Sequence, residues 1–218
     1  MRIDGRELNL IYDFNSTGNE TYALSGVNIT LDHNGITGII GPSGSGKSSL
    51  LYVLSGLKRP TSGTVYYDDM DIEAYAPHTR EAMRKKSFGF IFQKHFLIDY
   101  LSILDNVLVP LNDKSAGSSE YALSLLNRLG IRHLAEKKPY ALSGGQRQRA
   151  AVARAMINRP EVIFADEPTA SLDHNNAMEV MSILSDFKES SVILVATHDR
   201  SILSGADNII EMWDGRII

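Results

Sequence analysis

The 218-residue sequence contains no cysteine. That excludes disulfides and thiolate metal sites, and it is compatible with a reducing cytosol. No run approaches the roughly 18 consecutive apolar residues of a membrane span, so the chain is not expected to cross a bilayer. The opening residues, Met1-Arg2-Ile3-Asp4-Gly5-Arg6-Glu7, hold acids where a signal peptide needs an apolar segment. Positive charge is not in excess either: 22 Lys and Arg face 26 Asp and Glu, a net charge of −4. Such a balance offers no electrostatic case for nucleic acid. Internal repeats, low-complexity tracts and obvious linkers are also missing. With 43% hydrophobic and 22% charged residues, the composition excludes disorder, collagen-like structure and coiled coil as the main architecture. A chain of this length forms one large domain or a core with an insertion.

Periodicity then divides the chain. Leu8 to Tyr12 reads as a strand, and Val27, Ile29 and Leu31 alternate with polar residues as in a half-buried strand. Asn34-Gly35 predicts a tight hairpin with Ile36 to Ile40 as the return strand. A glycine- and serine-rich loop follows, then a helix with Leu50, Leu51, Leu54 and Leu57 on one face, ended by Pro60. Thr64–Tyr67 and Ser87–Phe92 read as further strands. From about 94 to 157 the pattern is helical. Ser102 is a candidate cap, Ser119–Leu129 has helical spacing before Gly130, and Ser143 to Gln146 has the form of a capping box. Strand–helix alternation then resumes: Val162–Ala165, a helix near Asn175–Lys188, Val192–Ala196, and Asn208–Trp213 with a hairpin at Asp214-Gly215. Alternation of this kind implies a mostly parallel sheet covered on both faces. We therefore expect a single α/β domain over residues 1–218, with its core at about 1–93 and 158–218 and an inserted helical subdomain at about 94–157.

Three segments carry chemistry. Gly41-Pro42-Ser43-Gly44-Ser45-Gly46-Lys47-Ser48 fits G-x-x-x-x-G-K-[ST], in which backbone N–H groups converge on the phosphates of a nucleotide. Lys47 adds a mobile cation, the Ser48 hydroxyl can ligate Mg²⁺, and the helix running on through Ser49 adds its positive end. Val162 to Glu167 is an apolar strand ending in two acids, at the sheet edge where ligands of open α/β folds collect. Asp166 could hold the metal with Ser48, and Glu167 could polarise an attacking water as general base; the alternative is a solvated strand end. Leu142-Ser143-Gly144-Gly145-Gln146 opens a helix with a capping serine and two glycines, a second anion site far along the chain. One phosphate loop already covers a γ-phosphate from one side. The second site is economically explained as gripping the γ-phosphate bound by another copy of the chain, against the alternative of a plain helix cap.

With these motifs in this order, the chain resembles the nucleotide-binding subunits of ATP-binding cassette (ABC) transporters over essentially its whole length. The resemblance implies a P-loop NTPase fold: a RecA-like, mostly parallel core, an N-terminal antiparallel β region and the helical subdomain. It also implies ATP and Mg²⁺ as ligands, with hydrolysis in a head-to-tail homodimer that sandwiches two ATP molecules between one copy's phosphate loop and the other's signature, the family's name for the segment matching Leu142 to Gln146. By the same resemblance Gln93 would touch Mg²⁺ and the attacking water, and His198 would hydrogen-bond the γ-phosphate. Ser171-Leu172-Asp173 would be the loop through which Asp173 meets the opposing subunit. Each has a plainer reading: Gln93 as a surface residue, His198 as a structural histidine, Asp173 as a helix N-cap. The family stacks adenine on an aromatic before the phosphate loop. Tyr12 is the first candidate, Phe14 and Tyr22 compete, and any of them can instead be core. His33, His78, His95, His133 and His174 show no metal-ligand spacing.

Asp105-Asn106-Val107-Leu108-Val109-Pro110-Leu111 resembles the Glu-Asn-Val-x-x-Pro-Leu stretch of the lipoprotein-release and macrolide-efflux group, with Asp105 in place of Glu. The resemblance implies transmembrane permease subunits as partners and a peripheral position on the cytoplasmic face of the cell membrane. The apolar run Phe96, Leu97, Ile98, Tyr100, Leu101 and Ile103 is either a socket for a partner's coupling helix or the subdomain's own core. An ATP-gated clamp signalling to a non-transport partner is the alternative function.

Overall fold

The computed structural model describes residues 1–13, 20–111, 115–170 and 172–218. Strands β1 (Ile3–Asp13), β2 (Glu20–Leu31), β4 (Ser62–Tyr67) and β5 (Met70–Asp71) form an antiparallel sheet in the order β2-β1-β4-β5. Strands β3 (Gly35–Ile40), β6 (Phe88–Ile91), β7 (Val162–Asp166), β8 (Val192–Thr197), β9 (Asn208–Trp213) and β10 (Arg216–Ile217) form the second sheet. Its order is β10-β9-β3-β8-β7-β6, parallel except for the β9–β10 hairpin at Asp214-Gly215.

Every residue of β7 and β8 is buried, as parallel strands covered on both faces require. Because side chains alternate, Ile163, Ala165, Ile193 and Val195 enter one core and Val162, Phe164, Leu194 and Ala196 the other. The second core is closed by the antiparallel sheet and α1 (Lys47–Leu54), whose Leu50, Leu51, Val53 and Leu54 are almost wholly buried. Each contributes on the order of 1.5–3 kcal/mol. Helix α2 (Pro77–Ser87) leads into β6. On the other face lie α3 (Ile103–Leu108), α4 (Ala116–Arg128), α5 (Gly144–Met156) and α6 (His174–Ser185). Ile103, Val107, Leu125, Leu126 and Leu129 are buried among them and continuous with the sheet's core.

Several local expectations give way. Asn34-Gly35 does not join a hairpin, because β2 pairs with β1 whereas β3 pairs with β8 and β9. Asn34 Nδ2 donates to Glu189 O, Gly35 N to Ser191 O and Ile36 N to Asp207 Oδ2, so long-range partners take the pair to the other sheet. Leu57 lies beyond α1, which stops at Leu54 before Gly56 at φ 65°, and it is exposed. Helix α4 starts at Ala116, ahead of the expected Ser119, because Ser115 caps it. Helix α6 ends at Ser185, short of Lys188.

Candidate functional site

The parallel sheet collects the site. The loop after β3, Gln93 after β6, Asp166 and Glu167 at the end of β7, and His198 after β8 all leave the carboxyl edge of the same sheet, the edge at which open α/β sheets bind ligands. There a cleft of about 700 Å³ is lined by Tyr12, Tyr22, Pro42 through Ser49, Gln93, Glu167 and His198.

Backbone crowding explains the loop's glycines. A Cβ on Gly41 would lie 2.2 Å from Met212 O, and one on Gly46 (φ 100°) 2.3 Å from Ala23 O. Gly46 opens α1 without a side-chain cap, leaving the first N–H groups of the helix for a ligand. Lys47 Nζ donates to Gly41 O at 2.8 Å and Pro42 O at 2.9 Å. Burial holds its pKa below the ordinary lysine value, against the pull of Glu167 and Asp166.

Gly41 and Asp166 do not line the cleft, but both abut it. Asp166 is 4% exposed and accepts from Ser48 Oγ at 2.7 Å through Oδ1 and from Tyr52 Oη at 3.0 Å through Oδ2. Burial, followed by the charge of Asp166, pushes the Tyr52 phenol up to about 12. Glu167 has φ 49°, a left-handed conformation that costs a non-glycine residue about 1–3 kcal/mol and is typical of functional positions. Its N–H donates to Ala196 O at 2.9 Å, joining it to β8. Its carboxylate lies 2.8 Å from His198 Nδ1 and accepts from Thr197 Oγ1 at 3.4 Å. Tyr12 presents its ring in the cleft with Lys58 Nζ 3.8 Å from the centroid and its hydroxyl 3.5 Å from Ser49 Oγ. Tyr22 lines the same cleft; Phe14 lies outside the described residues.

The segment Leu142 to Gln146, expected as a second anion site, lies elsewhere. Ser143 Oγ accepts from Gln146 N at 3.3 Å and Gln146 Oε1 from Ser143 N at 2.9 Å, a complete capping box on α5. Ser143, Gly144, Gly145 and Gln146 open into a separate concavity of about 450 Å³ that also holds Arg149, Leu172 and Asp173. Asp173 caps α6, its Oδ1 accepting from Asn176 N at 2.9 Å, and this hydrogen bond draws its carboxyl below the usual range. Ser171 lies outside the described residues.

Sequence reasoning missed three side chains that tie these parts together. Tyr52 stands four residues after Ser48 on the same helical face, a spacing that could have exposed it. Gln148, almost wholly buried, donates from Nε2 to Pro168 O at 2.8 Å. Arg154 on α5 donates to His95 O and Phe96 O, the segment just after Gln93. Neither long-range contact leaves a mark in local pattern. The apolar run divides by residue: Ile103 is core, whereas Phe96 and Tyr100 are 63% and 77% exposed. Phe96 borders a groove of about 460 Å³ with Phe88, Phe90, Phe92, Leu57 and Val109.

The sequence profile of a family described as "ABC transporter" matches residues 24–170. The chain is 38% identical over 214 residues to the lipoprotein-releasing system ATP-binding protein LolD of Psychrobacter arcticus, spanning 95% of this chain and 94% of that protein. It is 39% identical to the macrolide export ATP-binding/permease protein MacB of Hyphomonas neptunium, over 94% of this chain but 32% of that protein. The dimeric structure of MJ0796, a bacterial ABC transporter cassette, superposes with a TM-score of 0.92 at 33% identity, covering 99% of this chain and 96% of that one. A dimeric post-hydrolysis state of MJ0796 bound to ADP and Pi gives 0.91 at 32% identity, covering 99% and 96%.

Proposed function

This chain belongs to the ABC transporter family, and we propose that it hydrolyses ATP to energise export or extraction through separate membrane subunits. The observation that carries this reading is the cleft itself. One sheet edge brings the phosphate loop, Gln93, Glu167 and His198 around a single space, while the signature loop faces another. In this reading two copies pair head to tail, each closing the other's cleft with Ser143 to Gln146, and Asp173 meets the opposing copy beside its phosphate loop. We read residues 1–218 as one ATPase domain, with the core at about 1–93 and 158–218 and the helical subdomain at about 94–157.

The N–H groups of Gly41 to Ser49, Pro42 having none, bind the β- and γ-phosphates, and Lys47 exchanges its contacts with Gly41 O and Pro42 O for phosphate oxygens. Tyr12 stacks on adenine with the ring face opposite Lys58. The donor set suits Mg²⁺. The Ser48 hydroxyl and Asp166 carboxylate are hard oxygen ligands 2.7 Å apart, and Gln93 lines the same cleft as Ser48. Among the described residues no group of three or more His, Asp or Glu side chains could hold a metal alone, so phosphate oxygens would complete the coordination. Bound there, Mg²⁺ would neutralise charge on the β- and γ-phosphates. Glu167 accepts the proton of the attacking water, oriented by Gln93. His198 Nδ1 is engaged by Glu167, so a hydrogen bond to the γ-phosphate would come from Nε2 and would need that nitrogen to carry a hydrogen.

Among the described residues no helix is long and apolar enough to cross a membrane. The groove bordered by Phe96 suits a helix of a membrane subunit, which would hold the chain peripherally at the cytoplasmic face. Glu167→Gln tests the reading. Turnover, followed as phosphate release, should fall on the order of 10²–10⁴-fold, because an amide cannot take the proton. ATP binding should persist. Hydrolysis at the wild-type rate would remove Glu167 from the chemistry.

A further inference from the structure

We propose that Tyr52 is a positioning residue that sets the Asp166 carboxylate to share a divalent cation with Ser48, an inference that rests on Ser48 and Asp166 being metal ligands. Each oxygen of this buried carboxylate meets a different hydroxyl of one helix: Ser48 Oγ at Oδ1, Tyr52 Oη at Oδ2. Ser48 and Tyr52 are four residues apart on α1, so both hydroxyls leave the same face. A carboxylate free to turn about its Cβ–Cγ bond offers either oxygen to a cation. With Oδ2 held by the phenol, Asp166 keeps Oδ1 on the Ser48 side. The Ser48 oxygen retains lone pairs for the cation while its hydrogen stays on Oδ1.

The phenol is itself fixed. Its ring packs against Phe92 at 6.2 Å between centroids, Phe92 stacks on Phe90 at 5.6 Å, and Phe90 stacks on Phe164 at 5.6 Å. Phe164 lies on β7 two residues before Asp166, so donor and acceptor are held by one stack of rings. Tyr52 is not among the residues lining the cleft, so its loss removes no wall of the nucleotide site. Donors behind a metal ligand orient it, and their removal typically weakens metal binding 10–100-fold.

The test uses Mn²⁺ as a paramagnetic probe, titrated into the full chain with a non-hydrolysable ATP analogue and read by the electron paramagnetic resonance signal of free Mn²⁺. Tyr52→Phe keeps the ring and removes the hydroxyl. The Mn²⁺ dissociation constant should rise about tenfold, while analogue affinity in EDTA stays at the wild-type value and the melting temperature in EDTA falls by only the few degrees that one lost hydrogen bond costs. Tyr52→Leu also removes the ring; it should lower the melting temperature yet weaken Mn²⁺ binding no further than Tyr52→Phe. Unchanged Mn²⁺ affinity in Tyr52→Phe overturns the proposal. So does a Tyr52→Phe chain that loses analogue affinity in EDTA, because that marks a merely structural role. Ser48→Ala and Asp166→Asn separate the two levels. If they leave Mn²⁺ binding intact, the metal site falls and this inference with it; if they weaken it and Tyr52→Phe does not, Tyr52 alone is excluded.

Discussion

A mixture of Lys47→Ala and Ser143→Ala chains, each inactive alone, should recover turnover. Lys47 lines the larger cleft, and Ser143 opens into the separate concavity with Asp173. Replacing Ser143 removes the hydroxyl that caps α5, which costs about 1 kcal/mol. A domain stable by roughly 5–15 kcal/mol survives that. A fall in turnover on the order of 10²-fold or more would therefore report a lost contact to the reacting phosphate rather than unfolding. ATP affinity of the single chain should hold within a few-fold. In a head-to-tail dimer, random assortment of equal amounts makes about half of the dimers mixed. Each mixed dimer has one site with Lys47 from one chain and Ser143 from the other both intact, and one site with both lost. For sites that turn over independently, the mixture should reach about one quarter of the wild-type rate per chain. Phosphate release after mixing without nucleotide, compared with each variant alone, measures this. If each chain used its own signature loop, no mixed dimer would contain an intact site, so turnover at the background of the single variants would refute the reasoning.

Other expectations follow from single contacts. Phe96→Ala should change stability by no more than about 0.5 kcal/mol, since the ring is 63% exposed. It should leave basal hydrolysis intact while reducing stimulation by the membrane partner in reconstituted vesicles; full stimulation would remove Phe96 from the docking groove. Leu50→Ala empties a wholly buried position beneath the phosphate loop and should cost about 2–5 kcal/mol in urea unfolding. Asp207 accepts from Ile36 N, and this hydrogen bond, with help from Lys188, holds its carboxyl below the ordinary 3.8. Its folded pKa is depressed, so its contribution to stability is complete above 3.8 and is lost as pH falls through the lower folded value. The stability difference between wild type and Asp207→Asn at neutral pH should accordingly vanish on acidification, and a difference independent of pH would contradict it.

Local pattern was a good guide wherever the determining interactions are local. The capping box at Ser143 and Gln146, the cap at Ser102, the buried strands β7 and β8 and the hairpin at Asp214-Gly215 all follow from spacing and residue type. Asn34-Gly35 shows the limit. Two residues can specify a turn, but which strand pairs with which depended on β1, β8 and β9 competing for β2 and β3. Asp173 shows another: its reading as an N-cap is a local hydrogen bond, whereas its facing the signature loop is a matter of helix packing.

What the sequence determined by itself was the chemistry available. The phosphate loop, the acid pair and the signature are contiguous segments whose backbone geometry is dictated by their own glycines, caps and strand ends. What only the tertiary structure decided was their meeting. Ser48 and Asp166 are 118 residues apart yet share a hydrogen bond. Tyr52 acquires its partner only because β7 runs beside α1, and the loops at Gly41 and Ser143 face different spaces because α5 packs on the far side of the sheet from α1. Contacts of that range arise from strand order and core packing summed over many residues, and no short window of sequence contains them.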